Sequence, residues 1–376
     1  MGYGQKTVIQ LDPFNYNIGI IGEGGIGKTT IIFEMCEKYL PEGGYLFAEC
    51  GKEDGGSAIS RLNHINCFDW NSDYDSSTNS VGFKVLVEDI LENKDTDPDY
   101  KKLRCLIVDT YDELRAICVP EIIRRHNKQY PDKKVSSIKA AFGGYMAGED
   151  MVDDVILDLL WELKKVGVQF IIIGHTKFRE ITEATTGETY TQLTTDMSMR
   201  SFNKIKTKLH FLGVANIDRE IVKAQKGKKT QGKIKSETRR ITFRDDDYSI
   251  DSKSRFADIV DECPFTADAF YKAMQDAIQK EASKGNGGIE ASEKATKLAE
   301  KTRIKKAKEY SESLKNNKVD EERNEELIDI IKASFPKADE EIKAKVKDVM
   351  AEYNIPNFKT TDVNTKGLEE IVQLLS

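Results

Sequence analysis

The chain has 376 residues, of which 39% are hydrophobic and 32% are charged, and its formal net charge is -7 at pH 7. This length exceeds one ordinary hydrophobic core, so two domains, or one domain with an appendage, are expected. An acidic protein lacks a global attraction for nucleic acid, so any such contact requires a local basic patch.

The sequence shows no pattern typical of a membrane span or a secretory leader. No apolar run approaches the ~18 residues that a spanning helix needs, and the first twelve residues lack a signal-peptide core. The six cysteines form no CxxC pair, which favours reduced, buried thiols over metal or redox use. We therefore expect a cytoplasmic protein with no membrane partner.

Residues 17–174 alternate apolar runs with amphipathic segments. Continuous apolar runs predict strands at 17–21, 45–49, 103–109 and 168–174. Helical patterns occur at 28–39, 57–65, 81–91, 112–125 and 150–166. Buried strands that alternate with helices are typical of a mostly parallel sheet covered on both faces. The sequence therefore predicts an α/β fold.

The remainder of the chain changes character twice. Residues 182–201 are polar and threonine-rich, which predicts a β-hairpin or a mobile flap, and further strands are predicted at 208–216, 219–224 and 239–244, as an antiparallel edge. A Lys/Gly/Ser stretch at 280–288 predicts a linker, and 291–316 a solvated helix. Apolar positions between 322 and 375 predict a small helical appendage. The expected domains are 1–265 (core), 266–320 (charged helical linker) and 321–376 (small helical domain).

A phosphate-binding loop is the most specific motif. Residues 22–29 match G-x-x-x-x-G-K-[ST] in full, between an apolar strand and an amphipathic helix. In such a loop backbone N–H groups surround the β-phosphate, and the following helix adds its dipole. Lys28 is expected to reach the β- and γ-phosphates, and the Thr29 hydroxyl to bind Mg²⁺. The expected ligand is ATP with Mg²⁺, held by Gly22, Glu23, Gly24, Gly25, Ile26, Gly27, Lys28 and Thr29.

Three polar strand ends complete the expected site. Asp109 ends an apolar run and fits the carboxylate that holds the metal's water shell, although a helix-capping role is the alternative. His175 ends the next buried strand, as a γ-phosphate sensor or as a polar strand end without a ligand. Glu49 is the first choice for orienting water, with Glu53 and Asp54 in reserve. Strand 45–49 lies between Lys28 and Asp109 in the chain, which suggests that another strand separates theirs in the sheet.

A family resemblance rests on ordered segments: GEGGIGKTT, YLFAECGKED, LRCLIVDTYDEL, FGGYMAGED, FIIIGHTKFRE and DDDYSIDSKSRFAD. Over about residues 8–265 the chain resembles phage-type RecA-like ATPases of the AAA-domain group, some of which are recombinases that assist single-strand annealing. The resemblance implies a RecA-like P-loop NTPase core in the host cytoplasm, if the protein is phage-encoded.

The resemblance also implies roles for particular residues. Nucleotide binding extends to Thr30, Asp109 supports Mg²⁺, Glu49 looks like the catalytic glutamate, and His175 looks like the γ-phosphate sensor. Residues 182–201 fall where relatives carry DNA-binding loops. A homo-oligomer is implied, in which Arg200, Lys204, Lys253 and Arg255 act across a subunit interface.

Residues 223–240 form a basic segment in this acidic chain. As a hairpin tip the segment could follow a phosphate backbone, with affinity that falls with salt, and the alternative is a solvated loop that binds nothing. It contains no aromatic residue, so Tyr190 and Phe202 are the nearest candidates for stacking on bases. The expected nucleic-acid contacts are Lys226, Lys228, Lys229, Lys233, Lys235, Arg239 and Arg240.

Three functions are compatible with these patterns. The leading hypothesis is a RecA-like ATPase that acts on single-stranded DNA in phage recombination, repair or replication. The second is an ATP-dependent switch or assembly protein, whose C-terminal region binds a replication or recombination protein. A small-molecule kinase is third, because no arginine-bearing lid is recognisable.

Overall fold

The computed structural model describes residues 7–53, 55–183, 185–226, 229–245, 249–285, 287–316, 319 and 321–375, without the side chains of 221–234, 315, 321 and 322. Its strands are β1 (Ile18–Gly22), β2 (Tyr45–Cys50), β3 (His64–Cys67), β4 (Cys105–Asp109), β5 (Gln169–Thr182), β6 (Thr189–Thr195), β7 (Phe211–Lys226), β8 (Lys229–Thr242), β9 (Lys253–Ser254) and β10 (Glu262–Pro264). Its helices are α1 (Lys28–Tyr39), α2 (Phe83–Asn93), α3 (Pro98–Lys102), α4 (Tyr111–Gln129), α5 (Ala147–Lys165), α6 (Met199–Lys206), α7 (Ala267–Lys284), α8 (Gly288–Asn316), α9 (Glu321–Ser334), α10 (Glu340–Glu352) and α11 (Thr365–Leu375).

The strands form one sheet in the order β10-β8-β7-β1-β5-β4-β2-β3, with β6 paired to β5 and β9 paired to β7. The central strands β7, β1, β5, β4, β2 and β3 run parallel, whereas β8, β10, β6 and β9 pair antiparallel with their neighbours. The α/β fold class, with a mostly parallel sheet and antiparallel edge strands, is therefore confirmed.

The strand between β1 and β4 is β5. The expected separation of the strands that end at Gly22 and Asp109 is thus confirmed, but the strand at 45–49 does not make it. That strand, β2, pairs with β4 on the far side, where Glu49 lies opposite Asp109. All three residues therefore meet the same edge of the sheet, because parallel strands end on one side.

Helices cover both faces of the sheet, and β1 serves both layers. Ile18 and Ile20 lie in a hydrophobic cluster with residues of α1 and α7, whereas Ile21 lies in a cluster with residues of α2, α4 and α5. Every residue of β1 and β4 is buried. This two-sided burial explains why the strands are continuous apolar runs rather than alternating ones.

The predicted helix at 57–65 is wrong. The structure has a single 3₁₀ turn at Gly56–Ala58, followed by strand β3. β3 pairs with β2, with His64 opposite Phe47, and its hydrogen bonds therefore come from residues distant in sequence. A pattern read along one short segment does not contain that information.

The predicted linker at 280–288 is wrong for its first half, because α7 continues to Lys284. Ala277, Ile278 and Ala282 on this helix are buried, and the first two lie in the same cluster as α1. The Lys and Ser residues that suggested a linker belong to the exposed face of the helix. The division into three domains stays a prediction, but the segment expected to be a linker contains a helix that packs on the core.

Two predicted strand regions are longer than expected. The stretches at 208–216 and 219–224 belong to one strand, β7, and the stretch at 239–244 begins within β8. A hairpin is present, but it begins before the expected segment 182–201, because residues 176–182 of β5 form its first strand and only β6 lies within the segment. The end of that segment is helical instead, since Ser198 caps α6.

The C-terminal helices form two groups. Helix α8 lies on the core, where the Ser311 hydroxyl donates to the Leu91 carbonyl at 2.6 Å and Arg303 donates to the Gly167 carbonyl at 3.0 Å. Helices α9, α10 and α11 bury a separate cluster, with Ile331, Val346 and Leu368 at its centre. Of the described helices, none is long and apolar enough to cross a membrane. All the cysteines are free and buried.

His210 makes the fold sensitive to acid. Its Nδ1 accepts a hydrogen bond from the Asn17 backbone N–H at 3.1 Å, and this hydrogen bond requires Nδ1 to be unprotonated. Burial, together with the positive charges of Arg255, Lys164 and Lys253, lowers the pKa of His210 to about 4. The unfolded chain takes up this proton near the ordinary pKa of about 6.5.

We expect the stability that depends on neutral His210 to be lost as pH falls from about 6.5 towards 4, because the unfolded state binds more protons in this window. His210→Gln should lose less of its unfolding free energy than the wild type between about pH 7 and pH 5. Urea unfolding at both pH values measures the difference. An equal loss in both proteins would contradict this account.

Candidate functional site

The loop between β1 and α1 forms an open cradle at the carboxyl edge of the sheet. Gly25 and Gly27 have φ of +75° and +104°, which L side chains rarely adopt. A Cβ on Gly24 or Gly25 would meet nothing within 4 Å, so this side of the loop is open. Gly22 is required for a different reason, since its Cβ would lie 2.8 Å from the Ala215 Cβ on β7.

The Lys28 side chain is buried against the backbone of this loop. Its Nζ donates to the carbonyls of Gly22 and Glu23 at 3.1 and 3.0 Å, and the residue is 5% exposed. Burial lowers the pKa of the ammonium, and the Asp109 carboxylate is the main group that opposes this shift. A desolvated cation at the mouth of an amide-lined loop is suited to an anion such as a phosphate.

Thr29 and Asp109 join the start of α1 to the end of β4. The Thr29 hydroxyl donates to the Asp109 carboxylate at 2.7 Å, and Asp109 is 2% exposed. Burial raises the pKa of Asp109 to about 6; the Thr29 hydrogen bond opposes the shift, and Glu53 and Glu49 reinforce it. A buried carboxylate beside a hydroxyl is a donor set that fits Mg²⁺, which takes oxygen ligands.

Glu49 lies beside Asp109 and is fixed by two groups. Its Oε1 accepts from the Gly56 N–H at 2.6 Å, and its Oε2 lies 3.6 Å from His64 Nε2. Only glycine permits the first contact, because a Cβ on residue 56 would lie 2.6 Å from Oε1. His64 was not predicted as a site residue, because a helix rather than strand β3 was expected at 57–65.

His175 lies next to Gly22 across the β1–β5 ladder. Its Nδ1 is 2.9 Å from Asp112 Oδ2, and its Nε2 is 3.8 Å from Glu53 Oε1. The hydrogen bond with Asp112 raises the pKa of His175. Asp112, which the sequence identified only as the start of a helix, is therefore the partner that orients this ring. Asp54, a reserve candidate, lies outside the described residues.

His175 and two neighbouring carboxylates lie close enough together to hold a metal ion. Oxygen or nitrogen atoms of Asp112, His175 and Asp196 lie within 4.8 Å of one another. The hydrogen bond between Asp112 and His175 explains most of this proximity. Thr29 and Asp109 offer only oxygen ligands, which Mg²⁺ prefers, so they remain the better metal donors.

Two hairpins stand on either side of the loop at 22–27. β1 has β5 and β7 as its neighbours, and both continue beyond the end of β1, to Thr182 and Lys226. β5 then pairs with β6, and β7 with β8. Because each residue of a strand adds about 3.3 Å, the hairpins extend well beyond the carboxyl edge of the sheet.

The base of the β7–β8 hairpin contacts the loop directly. Arg239 Nη1 donates to the Ile26 carbonyl at 3.1 Å, and Arg219 Nη2 lies 3.3 Å from Glu23 Oε2. From the sequence, Arg239 is expected among the nucleic-acid contacts, and no role is expected for Arg219. Only the register of the hairpin against β1 brings these side chains to the loop.

The other expected nucleic-acid contacts differ in what can be described. Lys235 pairs with Glu220 at 2.9 Å, and Arg240 pairs with Asp218 at 3.1 Å. Lys228 lies outside the described residues, and so do the side chains of Lys226, Lys229 and Lys233. The role of all these residues stays a prediction.

The candidates for base stacking need one correction. Phe202 is 1% exposed and packs in the core, because it lies on the inner face of the short helix α6, so it is unavailable to a base. Tyr190 is 37% exposed, on β6. Phe178 on β5 is 66% exposed, and the sequence analysis missed it. Phe178 follows the buried run and is flanked by Lys177 and Arg179, and this context could have indicated an exposed aromatic side chain.

The four residues expected at a subunit interface all have partners within the chain. Arg200 pairs with Asp150, and Lys204 with Asp154 at 2.8 Å. Lys253 donates to the Lys206 carbonyl at 2.8 Å, and Arg255 donates to the Thr207 carbonyl. The last two lie near the start of β7, at the sheet edge opposite the glycine loop. Their action across an interface stays a prediction.

The raised pKa of Asp109 gives a stability prediction for the metal-free protein. Above about pH 6 the carboxylate is charged in both the folded and unfolded states, so folding then carries the full cost of burying it. That cost disappears as the pH falls below about 3.9, where both states are protonated. Asp109→Asn should therefore be more stable than the wild type near neutral pH, by up to about 3 kcal/mol.

Chemical unfolding in the presence of a chelator measures this difference. The difference in unfolding free energy between Asp109→Asn and the wild type should narrow as the solution is acidified, because the wild-type carboxylate becomes protonated. An Asp109→Asn variant that is less stable than the wild type near neutral pH would show that the buried charge is already compensated.

A comparison with protein families agrees with this geometry. A family model described as "AAA domain" matches residues 15–256, which is more than half of the chain. The match begins just before β1 and ends after β9, so it includes the glycine loop, both hairpins and every residue of the site described above. No curated protein matches the sequence.

Proposed function

The chain belongs to the AAA domain family of P-loop NTPases, and from this we propose that it binds and hydrolyses ATP with Mg²⁺ and acts on single-stranded DNA as a RecA-like protein. The observation that carries the proposal is the hydrogen bond between Thr29 and Asp109 beside the open glycine loop. It supports a site where a metal and a polyphosphate meet.

The proposed binding roles follow from the contacts of each residue. The backbone N–H groups of residues 22–30 surround the phosphates, and Lys28 turns from the carbonyls of Gly22 and Glu23 towards them. Thr29 and Asp109 hold Mg²⁺, which neutralises the charge of the phosphates when it is bound. The buried position of Asp109 favours an occupied metal site because the cation compensates the carboxylate.

Glu49 and His175 take the catalytic roles in this proposal. Glu49 is buried next to Asp109 and fixed by the Gly56 N–H, so it is in place to orient a water molecule and accept its proton. The hydrogen bond with Asp112 raises the pKa of His175 and orients its ring, and from its position beside Gly22 the ring donates to the terminal phosphate. Glu49 lies near the end of β2, and His175 lies on β5 opposite Gly22 at the end of β1, so both side chains are at the same edge of the sheet.

The two hairpins support an action on single-stranded DNA. The β5–β6 hairpin exposes Phe178 and Tyr190, which provide flat surfaces for stacking with bases. The β7–β8 hairpin carries the basic segment at 223–240, which suits a phosphate backbone. A homo-oligomer that places such hairpins side by side would contact single-stranded DNA over several nucleotides.

An ATP-dependent switch that binds a protein partner is the second candidate. The separate hydrophobic cluster of α9, α10 and α11 favours it, since a small appended unit is a common means of partner binding. In that case a replication or recombination protein binds residues 321–376, and the hairpins need not touch DNA.

We expect ATP turnover that rises with single-stranded DNA and weakens with salt, and that is abolished in Lys28→Ala because the variant lacks the phosphate-binding ammonium. Steady-state hydrolysis with single-stranded DNA, with double-stranded DNA and without DNA, at two salt concentrations, measures this. Lys38→Ala is the matched control, because Lys38 lies on the same helix but pairs with Asp268 at the surface.

The outcomes separate the two candidates. Turnover that does not respond to DNA would contradict the DNA proposal and favour the protein-binding switch. Equal turnover in Lys28→Ala and the wild type would contradict the assignment of the phosphate site itself.

A further inference from the structure

The base of the β7–β8 hairpin presents one face to the glycine loop. Arg219 lies opposite Glu237 in the ladder, and Arg239 lies opposite Ile217. Residues two apart on a strand point to the same face, and so do directly opposed residues. Arg219, Glu237 and Arg239 therefore share a face. The neighbouring Arg240 points to the other one, where it pairs with Asp218.

The charged groups on this face form a continuous chain with both ends on the loop. Glu23 Oε2 is 3.3 Å from Arg219 Nη2, and Arg219 Nε is 3.6 Å from Glu237 Oε2. Glu237 Oε1 is 3.4 Å from Arg239 Nη2, and Arg239 Nη1 donates to the Ile26 carbonyl at 3.1 Å. Glu23 and Ile26 are both residues of the proposed phosphate loop, so the two guanidinium groups lie next to the site of the anion.

The present partners of the arginines are easily exchanged. The side chains of Arg219, Glu237 and Arg239 are 36%, 38% and 47% exposed, and ion pairs at such exposure are weak because water screens them. A polyphosphate carries several negative charges, and its oxygens match the planar guanidinium group. An occupied loop therefore offers both arginines a stronger partner than Glu237.

We propose that Arg219 and Arg239 belong to the nucleotide site and recognise the bound polyphosphate, and that Glu237 competes for them in the unliganded protein. This inference rests on the proposed function, because it requires the loop to bind a nucleotide. It assigns Arg239 to the nucleotide rather than to DNA. The inference also connects the base of the β7–β8 hairpin to its tip. A nucleotide in the glycine loop would hold Arg219 and Arg239 at the base of the hairpin that carries the basic segment.

The test is equilibrium binding of a non-hydrolysable ATP analogue and of inorganic tripolyphosphate, which competes for the same loop without a nucleoside. Arg219→Ala and Arg239→Ala should each weaken both ligands about tenfold, as expected for the loss of one charged hydrogen bond. Glu237→Gln should tighten both, because it releases the arginines. Arg323→Ala is the matched control, since Arg323 is 48% exposed and pairs with Glu326. Both residues lie on α9, distant in sequence from the glycine loop.

Thermal unfolding of each variant checks that it is folded, and Arg239→Lys replaces Arg239→Ala if the latter is not. Unchanged tripolyphosphate affinity in both arginine variants would overturn the inference. A loss that affects the ATP analogue but not tripolyphosphate would also overturn it, because the arginines would then contact the nucleoside. Failure of the wild type to bind either ligand would instead refute the proposed function.

Discussion

A single hydrogen bond, between the Thr29 hydroxyl and the Asp109 carboxylate, joins helix α1 to strand β4. In the sheet, β4 lies two positions from β1, the strand that leads into α1. The carboxylate is buried, and this burial raises its pKa although the Thr29 hydrogen bond opposes the shift. Such an arrangement is unfavourable in an isolated protein and becomes favourable when a cation is shared between the two oxygens. The geometry of the loop, of Glu49 and of His175 is arranged around this point, at one edge of the sheet.

The order of the strands determines what surrounds that point. β1 is short and ends at the glycine loop, whereas its neighbours β5 and β7 continue past it as hairpins. The loop consequently lies between the β5–β6 hairpin, which has exposed aromatic side chains, and the β7–β8 hairpin, which carries the basic segment. Arg219 and Arg239 connect the β7–β8 hairpin to the glycine loop. If Arg219 and Arg239 recognise the nucleotide as proposed, its binding is coupled to the surface that the β7–β8 hairpin offers to a partner.

Local patterns were enough to predict the α/β class, the strands at 45–49 and 103–109 and the glycine loop, because each depends on residues adjacent in sequence. They were not enough for β3, whose pairing with β2 is long-range, and so His64 beside Glu49 was missed. The contact of Arg239 with Ile26 was missed for the same reason: the charge of Arg239 is visible in the sequence, but the register that brings it to the loop is not. Helix α7 was misread as a linker beyond residue 280 because its exposed Lys and Ser side chains masked a buried alanine face.

The most direct test of this account is the Mg²⁺ dependence of ATP binding, measured by calorimetry on the full chain with and without a chelator. The account predicts that Mg²⁺ tightens ATP binding in the wild type and that Thr29→Ala and Asp109→Asn remove this gain while retaining weak, metal-independent binding through the loop and Lys28. ATP binding that is equally tight without Mg²⁺, or a metal effect that persists in both variants, would contradict it.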